Sequence, residues 1–177
     1  MPNYNPSTRE RIGNIHDGLL VQTTAELAYT AWGVTVQTTL FTVYNRIIIH
    51  HLFLEVGETA LVGAGALLQF NFASTVPVVA AAPLCAVCTD IDGFDRGRRV
   101  SFPGTTIATA ASVDSTQGIS LGPTMTAIVG YKPSAAGVTS VGQVGVLTTT
   151  AVLTAGTGQF SMLYTPFDIN AYAVAAL

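Results

Sequence analysis

The chain has 177 residues, of which 49% are hydrophobic and only 10% charged, and its net charge is −3. That length suits one domain with a buried core, and the scarcity of clustered Lys and Arg excludes a phosphate-gripping nucleic-acid surface. Mean hydropathy is positive, but the best apolar run, 76–88, is too short to span a membrane as a helix and carries Pro77 and Pro83.

Residues 1–18, "MPNYNPSTRERIGNIHDG", are polar and hold Pro2 and Pro6. They read as an extended arm that a partner orders, with Arg9 and Arg11 as its contact cations. They carry no apolar stretch of the kind a secretory leader needs, so the reading is a chain made and used without export. Residues 19–177 read as a single domain.

Strand signals then dominate. Thr occurs 24 times and Val is frequent; both pack well on a pleated surface because branching at Cβ restricts χ1. "WGVTVQT" alternates and predicts a strand with Trp32, Val34 and Val36 on one face. "TLFTVYNRIIIHHLFLEV", 39–56, predicts two strands joined by a turn near Tyr44-Asn45, since Asn tolerates the left-handed conformation. The second of these is apolar on both faces, with Ile47, Ile49 and Phe53 on one and Ile48, Leu52 and Leu54 on the other. Such a strand is covered on both sides, and Ile48, Leu52 and Leu54 are the face assigned to a neighbouring subunit. Strict alternation also puts His50 and His51 on opposite faces, where they cannot share an ion.

"GAGALL", 63–68, lacks the lysine of a phosphate loop and reads as a loop entering a strand at 66–72. "VPVVAAAPLCAVCT" predicts one or two short strands interrupted by proline, which edges tolerate. Cys85 and Cys88 sit in this apolar run with no helix to activate them and no second ligand pair for zinc, so they read as buried thiols. Further strands are predicted over 104–112, 124–131, 143–152 and 158–165, separated by the turn-rich "DSTQG", "KPSAAG" and "TAGTG". Nine or ten strands with almost no helical periodicity predict an all-β fold, a β-sandwich or jelly-roll-like barrel with an extended N-terminal arm.

Charge is concentrated in "TDIDGFDRGRR", 89–99, which has three Asp and three Arg, whereas from Val100 onward only Asp114, Lys132 and Asp168 are charged. A calcium loop fails on position, because the sixth residue from Asp90 is Asp95 and the twelfth is Ser101. No Gly-x-Ser-x-Gly elbow and no carboxylate pair from distant segments is legible. The segment instead predicts a hairpin tip at Asp92-Gly93 that neutralises itself. Asp92, Asp95, Arg96, Arg98 and Arg99 are then the residues that set register against a neighbour through directional Arg–carboxylate pairs. No cofactor and no metal is expected. A neutral Thr-rich surface on so uncharged a chain points to contact with other subunits.

Two stretches add a resemblance. "LFTVYNRIIIHHLFLEV", 40–56, and "GQFSMLYTPFDINAYAVAA", 158–176, resemble opening and closing segments of small structural proteins of tailed bacteriophages, in the same order along the chain. The resemblance implies a non-enzymatic virion component, a capsid decoration or cement protein assembled in the host cytoplasm. It further implies a homo-oligomer, commonly a trimer, whose partner is the major capsid protein or another virion protein. A tail, fibre or head–tail connector protein is the nearest alternative. A carbohydrate-binding β-sandwich using Trp32, Tyr131 and Tyr164 is the alternative from another class.

Overall fold

Apolar residues at every second position need a second layer to cover them, and the chain supplies it by dividing its strands between two sheets. A computed structural model describes residues 19–88, 90–101, 112–113, 127–132, 139–168 and 170–177. The predicted arm, with Arg9 and Arg11, lies outside the described residues, as does nearly all of the strand expected at 104–112.

Among the described residues, twelve strands and one helical turn follow in order: β1 (Leu20–Thr23), β2 (Leu27–Ala28), α1 (Tyr29–Trp32), β3 (Thr38–Tyr44), β4 (Ile47–Val56), β5 (Leu67–Val76), β6 (Val78–Pro83), β7 (Arg99–Ser101), β8 (Ser112–Val113), β9 (Ala127–Val129), β10 (Val141–Thr149), β11 (Thr157–Pro166) and β12 (Tyr172–Ala175). They form two antiparallel sheets, an all-β sandwich. Sheet A runs β1-β11-β4-β7-β8, with β2 also pairing β11 and β9 also pairing β4; sheet B runs β12-β3-β10-β5-β6. The core lies between them. Phe41, Phe70, Val144 and Val146 from sheet B face Leu52, Leu54, Phe160 and Met162 from sheet A, all at 0% exposure.

The strand expected at "WGVTVQT" is absent. Gly33 N–H donates to the Tyr29 carbonyl at 2.6 Å and closes a helical turn. Trp32 enters the core from that turn, edge-on to Phe160 at 5.2 Å, while Val36 is 72% exposed. Alternation alone does not make a strand when no neighbour pairs with it. β1, β2, β7 and β12 were not legible as strands because each is four residues or fewer.

The turn at Asn45 is as expected. Asn45 takes φ 59° and leads β3 of sheet B into β4 of sheet A. Its side-chain oxygen accepts from Ser140 N–H at 3.1 Å. Arg46, next in the turn, reaches the β11–β12 connection. It grips Asp168 through Nη2–Oδ1 at 2.6 Å and Nε–Oδ2 at 2.9 Å, and its own N–H donates to Oδ2 at 3.2 Å. The guanidinium also lies over the Phe167 ring at 4.6 Å. Two sheet-switching corners are thereby tied together by a bidentate, directional pair.

The Arg46 guanidinium holds the Asp168 carboxyl below the usual carboxylate range. A carboxyl depressed in the folded state contributes stability above its unfolded value, near ~3.9, and loses that contribution as pH falls through the folded value. Urea melts of the parent chain at neutral and strongly acidic pH should therefore diverge more than melts of Asp168→Asn. Equal acid sensitivity in both would remove Asp168 from the acid response.

Candidate interaction surface

The charged segment 89–99 is not a hairpin tip. β6 ends in sheet B and β7 begins in sheet A, so the residues between them cross from one sheet to the other. The bend at Asp92-Gly93 exists, with Phe94 N–H donating to the Ile91 carbonyl at 3.4 Å. Ile91 and Phe94 are buried, and the crossover plugs into the core.

The carboxylates serve the neighbouring glycine loop. Asp92 Oδ1 accepts from Gly63 N–H at 2.7 Å, Asp90 Oδ2 from Gly65 N–H at 2.8 Å, and Asp90 Oδ1 from Asp92 N–H at 3.0 Å. The two aspartates thereby play the part a capping side chain plays at a helix start. Asp92→Ala is expected to cost about 1 kcal/mol, the usual worth of one such bond. Added calcium should leave the melting temperature unchanged, because these oxygens already accept hydrogen bonds; a calcium-dependent rise would overturn this assignment.

The expected self-neutralisation gives way, for two of the three arginines, to partners elsewhere. Arg99 pairs with Glu55, its direct neighbour across β4–β7, at 2.6 Å. Arg96 pairs with Glu58 at 2.9 Å, with both side chains mostly exposed. Arg98 lies over the Phe94 ring at 3.8 Å. Asp95 is exposed, and its carbonyl accepts from Arg98 N–H at 3.2 Å. Each of these arginines is thus engaged by its own chain.

The face reading of β4 also changes. Opposite β11, Leu163 pairs with His51 and Tyr164 with Ile49, so His50 is an extra residue and the strand bulges there. A bulge shifts the period by one. Ile47 and Ile49 face the core before it, and Leu52, Leu54 and Val56 face the core after it. Leu52 and Leu54 are therefore covered by sheet B of the same chain, not left for a neighbouring subunit. Ile48 is partly exposed on the outer face, beside Ile128 of β9. His50 and His51 are both partly exposed, and His50 Nε2 meets Thr165 Oγ1 at 2.6 Å. His51 stacks obliquely against Phe53 at 4.9 Å. Among the described residues no three or more His, Cys, Asp or Glu side chains come together to hold a metal ion.

A shallow groove of about 140 Å³ is lined by Glu26, Glu55, Glu58, Arg96 and Gln159. Glu26 accepts from Thr157 Oγ1 and from Glu58 N–H, and these bonds hold its carboxyl below the usual range. A carboxyl so placed stays ionised and is a poor proton donor, the opposite of what a general acid in glycoside hydrolysis requires. Cys85 and Cys88 are buried thiols, and burial pushes both up to about 11. They stay protonated at neutral pH and lack the thiolate that redox chemistry needs.

What sequence reading missed is the charge asymmetry between the sheets. The five strands of sheet B contain no Asp, Glu, Lys, Arg or His, whereas sheet A carries Glu55, Arg99, His50 and His51. The outer face of sheet B presents Tyr44 stacked on Tyr172 at 4.5 Å, with Thr42, Gln143 and Leu147 alongside. Its end strand β6, Val-Val-Ala-Ala-Ala-Pro, is exposed at every position. No family model, no curated protein and no solved structure matches this chain. The signal for this surface was present in the sequence as 31 successive uncharged residues between Glu58 and Asp90. Of the aromatics considered for sugar stacking, Trp32 and Tyr164 are core residues, and Tyr131 alone is partly exposed. No helix among the described residues is long and apolar enough to cross a membrane.

Proposed function

We propose that this chain is a non-enzymatic structural protein that attaches to a protein shell, with phage-head decoration as the specific setting. The observation that carries the reading is the charge-free sheet B. Interface cores are depleted in charge, and a sandwich with one ionisable sheet and one without is suited to meeting protein on a single side. The resemblance of two stretches to phage structural proteins adds support. Its two stretches, 40–56 and 158–176, are neighbours in space, because β11 pairs with β4, β12 pairs with β3, and Arg46 clamps Asp168 between them. In this chain they form one unit of structure.

On this reading the partner is the major capsid protein or another virion protein, and the location is the virion. Attachment draws on apolar burial at about 25 cal/mol per Å², less the cost of association. The test is co-sedimentation of the purified chain with phage heads stripped of accessory proteins, alongside Gln143→Lys on the outer face of sheet B. Saturable binding that the lysine weakens supports the proposal. Absence of binding to any such head, or binding indifferent to Gln143→Lys, refutes it.

A further inference from the structure

We draw no further inference here: the strongest candidate, the row of exposed and partly exposed side chains Tyr172, Tyr44, Val141 and Val76 that strand register sets side by side across the outer face of sheet B, belongs to the surface already proposed for shell attachment, and nothing in the structure shows what covers it.

Discussion

Leu54→Ala is expected to destabilise the isolated chain by roughly 2–5 kcal/mol, the range for removing a fully buried leucine. Leu54 has no exposed surface and sits opposite Phe160 across the β4–β11 pair. Truncation removes the transfer free energy of three carbons and leaves a cavity that surrounding strands close only in part. The loss should appear in urea melts at every protein concentration, because the covering surface belongs to the same chain. Ile48→Ala, on the partly exposed outer face, should cost far less. A Leu54→Ala chain that melts like the parent but associates differently would restore the alternative, in which this residue faces a neighbouring subunit.

Gly130→Ala is expected to cost at least as much as the ~1–3 kcal/mol typical of a strained backbone position. Gly130 takes φ 98°, and a Cβ there would press into the carbonyl oxygen of Asn45. Asn45 is the left-handed turn residue between β3 and β4, and it also receives the N–H of Ser140. Both sides of the clash are backbone, so neither yields cheaply. Gly65→Ala is the control. Its φ is also positive, at 79°, but an added Cβ there meets nothing within 4 Å. It should lose only the ~1–2 kcal/mol of the left-handed conformation itself. Equal losses at the two positions would show that the contact with Asn45 adds no cost.

Several features were legible because local chemistry dictates them. Asn45 predicted its turn because few residues other than glycine adopt a left-handed conformation cheaply. Alternation over 66–72 predicted Leu68, Phe70 and Phe72 inward and Gln69 and Asn71 outward; Leu68 and Phe70 are core, whereas Asn71 is buried and Phe72 only partly so, because the pairing of β5 with β6 shifts register beyond Phe72. Pro77 and Pro83 placed β6 at an edge because a residue without N–H cannot serve a central strand. The apolar setting of Cys85 and Cys88 predicted inert thiols, and burial with raised thiol values agrees.

The bulge at His50 belongs to the pairing of β4 with β11, and no residue in β4 announces it. It reverses the faces downstream, so Leu52 and Leu54 changed from a predicted outer surface to core. Trp32 is core but not part of the predicted strand, because the helical turn at Tyr29–Trp32 depends on contacts with β2, β10 and Phe160. The arginines of the charged segment found Glu55 and Glu58, more than thirty residues away, because β7 lands beside β4.

The sequence by itself determined the all-β class, the turn positions and the scarcity of charge, since composition, periodicity and turn chemistry are local properties. Tertiary structure alone decided which face of β4 is buried, which partners the charges take, and that one whole sheet and its open edge carry no charge. Those are matters of register and strand order, fixed by contacts between segments far apart in the chain.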